Sequence, residues 1–337
     1  MAAHLRIEDI AQAAGVSVST VSRILNNKPD VAAATRARVL QIIDELGYRP
    51  HSQAQSLAAG RSRTIALLFP ATHAGFSELE LDFFVGAARA ASEHNYFFNL
   101  MTEPLTESDL LGLYRSANLD GIILMRICFE DERVNALRKS GDPFVMIGRC
   151  ADNTGLSYID LDFAGAVGVA FDHLIGLGHR HIGLLTLPVW MREQQFGPAM
   201  RLLEGYEQVK ATRRCEPTYR ECERTPEVIY ETTIEMLRTH PQLSAMVTSN
   251  GVTATSVIRA VQDCGRRVPE DFSVMGITTT KIARLLSPTL TAINFPTGQM
   301  GYRAAQVLIH KLEGAPAETS QIVLAPELVV RESTGSR

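Results

Sequence analysis

Val18, Ser19 and Arg23 fall close together on a stretch with helical spacing, and their side chains are of the kinds that read DNA bases. An arginine can take guanine O6 and N7 with two parallel hydrogen bonds, a serine can share one hydrogen bond with several bases, and a valine offers apolar contact, for instance to a thymine methyl. Around them, Ser17, Ser22, Asn26 and Thr35 are small polar groups suited to phosphate oxygens, which fix register without reading sequence. A major groove admits one α-helix, so a short helix must present its N-terminal turn to the base edges. The surrounding sequence supplies it. Leu5, Ile10, Ala11 and Ala14 recur at helical spacing, Gly15 breaks the pattern, and Ser17 can cap a second helix carrying Val18, Val21, Ile24 and Leu25. Two short helices joined at a glycine are the signature of a helix-turn-helix. A third helix follows from about Thr35, with Val39, Ile42, Ile43 and Leu46 on one face and Gly47 as its stop.

Charge supports this reading of the first segment. Residues 1–63 carry eight basic side chains against five acidic ones, a local +3 within a chain whose net charge is -4, so the rest carries -7. A basic head on an acidic body fits a polyanion-binding module attached to something with another task. With 337 residues and 45% hydrophobic content, the chain should form two or three packed units. No run approaches the roughly 20 apolar residues of a membrane span. Residues 1–20 lack the layout of a secretory signal, so a cytoplasmic protein is expected. The five cysteines (Cys128, Cys150, Cys215, Cys222, Cys264) are odd in number and form no CxxC pair, which points to reduced thiols rather than disulfides or zinc.

From Thr64 onward, short β-rich runs (Ile65–Phe69, Tyr96–Met101, Gly121–Ile127, Phe144–Ile147, His181–Leu187, Ala245–Thr248, Phe272–Ile277) alternate with segments of helical periodicity. That order implies an α/β fold with parallel sheets covered on both faces. About ten strand candidates are too many for one compact sheet, so two doubly wound subdomains are expected. In a two-subdomain clamp the ligand sits in the crevice at the C-terminal ends of the strands. Asn250 ends one strand run, and its amide both donates to and accepts from hydroxyls. Arg149 follows Phe144–Ile147 as a candidate crevice cation, and Phe76 is placed on the first-subdomain side. Trp190, the only tryptophan, lies in a loop where its face can stack on a sugar ring or pack locally.

No catalytic constellation is present. Gly176-Leu177-Gly178 lies between a helix and a strand, the reverse of a dinucleotide-binding turn, and no GxSxG, HExxH or P-loop string occurs. His179 and His181 read as a solvated turn rather than a metal site, and no cofactor is expected.

The strings LRIEDIAQAAGVSVSTVSRIL, TRARVLQIIDELGYRP, LIGLGHRHIGLL and PTLTAINFPTGQMG closely resemble the lac/gal repressor family of bacterial transcription regulators over nearly the whole chain. The resemblance implies a helix-turn-helix head, a hinge helix that forms on operator DNA, and a periplasmic-binding-protein-like core that clamps a small effector, usually a sugar or purine. It puts Val18, Ser19 and Arg23 at base-reading positions. It makes Leu57 a wedge that enters a central minor-groove step, with Ala54 at a neighbouring position. It makes Asn250 an effector residue and puts Arg201 near the family's effector arginine, one residue out of register relative to Gly205, where Leu202 falls. Two departures stand out. Ala32 replaces a frequent helix-capping serine, and Thr278 and Thr279 stand where many sugar-binding relatives have paired aspartates.

The expected organisation is a head (1–49), a hinge (50–63), and two subdomains: 64–161 with 292–322, and 162–291 with 323–337. The expected function is that of a homodimeric, ligand-responsive repressor of carbohydrate genes that binds a palindromic operator, with a sugar as effector and no enzymatic activity. The alternatives are a free-standing sugar-binding protein and an enzyme on a doubly wound scaffold.

Overall fold

A computed structural model describes residues 5–25, 30–48, 62–70, 78–116, 119–314 and 319–337. Asn26, Ala54, Leu57 and Phe76 therefore lie outside the described residues, as does nearly all of the expected hinge. The chain divides into two compact units, Met1–Arg63 and Thr64–Arg337.

The first unit is helical: α1 (Ile7–Ala14), α2 (Val18–Leu25) and α3 (Ala33–Glu45). Gly15 ends α1 in the left-handed region at φ 61°, a conformation that glycine adopts without penalty. The Ser17 hydroxyl accepts the Thr20 amide at 3.2 Å, capping α2 as expected. Ile10, Ala11, Ala14, Val21, Ile24 and Val39 form the buried centre of the three helices. Ala32 precedes α3 and contributes no side-chain cap.

The second unit contains, in chain order, β1 (Thr64–Leu68), α4 (Glu78–Glu93), β2 (Phe97–Met101), α5 (Glu107–Arg115), β3 (Gly121–Leu124), α6 (Glu132–Ser140), β4 (Phe144–Ile147), β5 (Tyr158–Leu161), α7 (Phe163–Gly176), β6 (His181–Thr186), α8 (Val189–Glu193) and α9 (Gly197–Thr212). There follow β7 (Glu216–Glu221), α10 (Pro226–Thr239), β8 (Ala245–Thr248), α11 (Gly251–Asp263), β9 (Ser273–Thr278), α12 (Thr280–Leu285), β10 (Thr291–Asn294), α13 (Thr297–Leu312), β11 (Gln321–Leu324) and β12 (Glu327–Val329). Among the described residues these strands form two six-stranded sheets, ordered β11-β5-β4-β3-β1-β2 and β12-β10-β9-β8-β6-β7. Among the described residues these strands pair in parallel except β10 with β12.

Alternate residues of one strand serve opposite faces, as the two-residue period of a strand requires. Ile65, Leu67, Ile123, Val145 and Ile159 pack beneath α4 and α13. Ala66, Leu68, Ile122, Leu124 and Met146 pack on the other side, with Leu110 and Leu137. Coverage on both faces explains why the central strands are almost wholly apolar.

Two expectations need correction. The subdomain boundary at 292 falls inside β10, which pairs with β9 in the second sheet from Thr291 to Asn294, so the chain crosses back only after that strand. The boundary between 322 and 323 falls inside β11, which pairs with β5 in the first sheet from Gln321 to Leu324, and only β12 joins β10 in the second.

Candidate functional site

On the head, α2 presents Val18, Ser19 and Arg23 as exposed residues, with Val18 40% accessible. Ser17, Arg23 and Thr35 line one shallow polar hollow with Thr20 and Asp30. The Ser17 hydroxyl lies 2.7 Å from that of Ser19. Ser22 is half-buried on the same helix. Arg23 does not stand free, because its guanidinium pairs with the Asp30 carboxylate. Sequence reasoning missed this partner, which lies seven positions further along the chain.

In the second unit, the C-terminal ends of strands from both sheets converge on one cleft, where the doubly wound topology places ligands. Phe69 follows β1, Met125, Arg126 and Ile127 follow β3, Gly148 follows β4, and Asp160 lies within β5. From the second sheet, Leu187 follows β6, and Ser249 and Asn250 follow β8. Phe83, Phe163, Phe196, Phe295 and Met300 make most of the remaining wall apolar. Asn250 lines this cleft as expected and is buried.

The other expected effector residues are placed differently. Arg201, on α9, is 5% exposed and donates through Nη2 to the carbonyl oxygens of Arg149 (3.1 Å) and Cys150 (3.3 Å). Its guanidinium stacks 4.7 Å from the Phe129 ring centre, and its Nε lies 4.0 Å from Asp160 Oδ2. Arg149 Nε donates to the same carboxylate at 3.0 Å. Both arginines line a neighbouring groove rather than the cleft itself. They meet the cleft only through Asp160. Burial pushes the Asp160 carboxyl above its ordinary range, against the pull of Arg201 and Arg149. Burial also lowers Arg201. Thr278 is fully buried at the end of β9, its hydroxyl directed at Gly251 rather than into the cavity, so it does not line the cleft. Trp190 sits on α8 against Arg126, with Met191 and Phe196 taking the lining positions beside it.

The cleft is latched. The Gly197 amide donates to the Ile127 carbonyl at 2.9 Å, and the Phe129 amide to the Gln195 carbonyl at 2.8 Å, joining the loop after β3 to the segment before α9. Arg224 lies 3.9 Å from Glu80, and Lys281 pairs with Glu78, so charged groups of the second subdomain grip α4 of the first.

Sequence reasoning also missed Phe69, Phe83, Arg126, Asp160 and Phe196. The one available signal was a charge at the end of an apolar run, in GIILMR and SYIDL. His179 is another correction. It is 2% exposed, with its ring nitrogens 2.8 Å from Ser244 Oγ and 2.9 Å from Ser273 Oγ. It is a packed connector between strands rather than a solvated turn, and burial lowers its pKa. Among the described residues, no group of three or more His, Cys, Asp or Glu side chains could hold a metal ion, and no helix is long and apolar enough to cross a membrane.

A helix-turn-helix head joined to a two-sheet core that closes on a cleft defines a DNA-binding protein governed by a small molecule. Residues 6–51 match the bacterial regulatory proteins of the lacI family, and residues 171–334 match the periplasmic binding protein-like domain. Over 338 residues, 97% of each chain, the sequence is 31% identical to the HTH-type transcriptional regulator CelR of Thermobifida fusca. A solved CelR–cellobiose complex is similar at TM-score 0.71 and 28% identity, covering 98% of this chain and 99% of that one. The lac repressor dimer bound to operator and the anti-inducer ONPF shares the fold at TM-score 0.84 and 24% identity, covering 98% and 99%. The chain belongs to the lacI family of bacterial regulatory proteins, and it is a DNA-binding transcription regulator rather than an enzyme.

Proposed function

We propose that this regulator is a cytoplasmic homodimer that represses carbohydrate genes from a palindromic operator and responds to a sugar held between its two core subdomains. The observation that carries the reading is the convergence of strand ends from both sheets, Asn250 among them, on one latched cleft in a chain whose head exposes Val18, Ser19 and Arg23. The head comprises 1–49 and the hinge 50–63. In this reading Val18, Ser19 and Arg23 read bases, Ser17, Ser22, Asn26 and Thr35 hold phosphates, and Leu57 with Ala54 enters the minor groove. One head buries too little surface for tight specific binding, whereas two heads double the contacts and impose inverted half-sites. Leu81 and Val85 on α4, with Phe97 and Leu100 on β2, are apolar side chains exposed on a single chain, and they suit burial against a second copy.

A ligand that touches both subdomains binds best when the cleft is closed. It shifts the open–closed population by its differential affinity, and operator DNA must change ligand affinity by the same factor. A bandshift on selected operator DNA, with and without a sugar found by thermal shift, tests the proposal. Asn250→Ala should bind operator as the wild type does without effector and lose the effector's influence. A wild-type response in that variant would place the effector elsewhere.

A further inference from the structure

We propose that the effector is an acidic sugar derivative whose carboxylate or phosphate is received by Arg126, at the seam of the two subdomains. The inference rests on the reading of this cleft as the effector site and narrows what the site takes.

Arg126 follows β3 with a left-handed backbone, φ 56°, which a side-chain-bearing residue adopts at a cost. Its guanidinium lies 5.7 Å from the ring centre of Phe69, 5.8 Å from that of Phe196 and 5.9 Å from that of Trp190. One ring comes from the first subdomain and two from the second. Ring faces favour a cation but accept no conventional hydrogen bond, so the in-plane N–H fork keeps its donors for something else.

The remaining charges in the cleft are matched. Asp160 is met by Arg149 at 3.0 Å and approached by Arg201, and Glu80 lies 3.9 Å from Arg224. Among the described residues, the Arg126 side chain makes no hydrogen bond and no ion pair, and Glu80 acts on it only through space. Burial lowers its pKa, and the nearby charge of Arg224 adds to that. Among the described residues, Arg126 alone of the four arginines that line the cleft and its flanking groove is thus in no ion pair. A neutral sugar would leave it so on closure, whereas a carboxylate or phosphate would match the fork with two parallel hydrogen bonds. The apolar wall around Phe83, Phe163 and Phe295 is suited to the face of a sugar ring. The two departing threonines fit the same picture. With Thr278 buried, that position offers the cleft no carboxylate for hydroxyl pairs.

Trp190 is the sole tryptophan and touches the Arg126 cage, so its fluorescence reports on this spot. The test titrates the full-length protein with matched sets of neutral sugar, uronate and sugar 6-phosphate, built on glucose, galactose and mannose, following Trp190 emission and melting temperature. An acidic member should bind about tenfold or more tightly than its neutral parent. That preference should collapse in Arg126→Gln and be partly kept in Arg126→Lys. The uronate and phosphate arms separate the two sources of the anion. The inference is overturned if neutral sugars bind as well as acidic ones, if Arg126→Gln keeps the preference, or if no acidic member alters Trp190 emission. Asn250→Ala separates this failure from that of the parent reading: if sugars bind and that variant binds them unchanged, the cleft itself is not the effector site.

Discussion

Gly86 on α4 is the point where the first subdomain's two long helices approach most closely, and Gly86→Ala measures what that approach contributes. A Cβ placed there overlaps the Gly298 carbonyl oxygen and lies 2.9 Å from its carbon and 3.0 Å from the Tyr302 amide nitrogen. Gly301 meets α4 in the same way, with its Cβ position 2.8 Å from the Phe83 carbonyl carbon. Every atom met is backbone, so no side chain can rotate aside, and relief requires α4 and α13 to move apart by roughly 1 Å to reach normal carbon contact. Overpacking of this kind costs typically about 1–3 kcal/mol, and the rigid neighbours put Gly86 at the upper end. Alanine regains roughly 1 kcal/mol through its better helix propensity. The net loss is about 2 kcal/mol, or a melting temperature lower by roughly 4–8 °C. Gly112 on α5 is the control, because a Cβ there meets nothing within 4 Å. Gly112→Ala should raise the melting temperature by about 2–4 °C through propensity alone. Because α4 carries Leu79, Glu80 and Phe83 to the cleft and α13 carries Met300, Gly86→Ala should also weaken effector binding. Calorimetric melts of the three proteins decide the matter. A Gly86→Ala variant as stable as the wild type, or a Gly112→Ala variant that is less stable, would refute the packing argument.

Arg23→Ala should cost on the order of 1–3 kcal/mol in operator binding and relax preference at one base pair, while Asp30→Ala, by releasing the Arg23 guanidinium, should tighten binding to DNA of any sequence; quantitative bandshifts that find Asp30→Ala weaker would contradict this. His179 is held neutral by burial, so its contribution to stability is complete above its unfolded value of about 6.5 and is lost as pH falls toward the lower folded-state value. The melting-temperature gap between wild type and His179→Gln should therefore shrink from about pH 8 to about pH 5, and a constant gap would show that the imidazole does not titrate as argued. Val85 is 66% exposed on a single chain, and Val85→Glu should convert the dimer to monomer in sedimentation; an unchanged dimer would place the interface elsewhere.

The readable parts of this chain were those decided by near neighbours along it. Gly15 and Ser17 form the turn before α2 through a left-handed backbone and a cap that spans three residues, so the head was legible from a few positions. The apolar runs of β1, β3, β4 and β8 were legible because coverage on both faces leaves no room for polar alternation. β7, with the polar sequence Glu216–Glu221, is an edge strand and carries no such mark. Asn250 could be found because its place at a strand end follows from topology. Arg149 and Thr278 stand at similar ends and Arg201 near the start of α9, yet tertiary packing turned them toward Asp160, Gly251 and backbone carbonyls. Buried charges take the partners that folding brings near, and Asp160 meets Arg201 across 41 positions of sequence, from another sheet's helix. The sequence alone therefore determined the head, the two sheets and the place of the cleft. Tertiary structure decided which side chains face that cleft, because the demand to pair each buried polar group is met in space and leaves no local pattern along the chain.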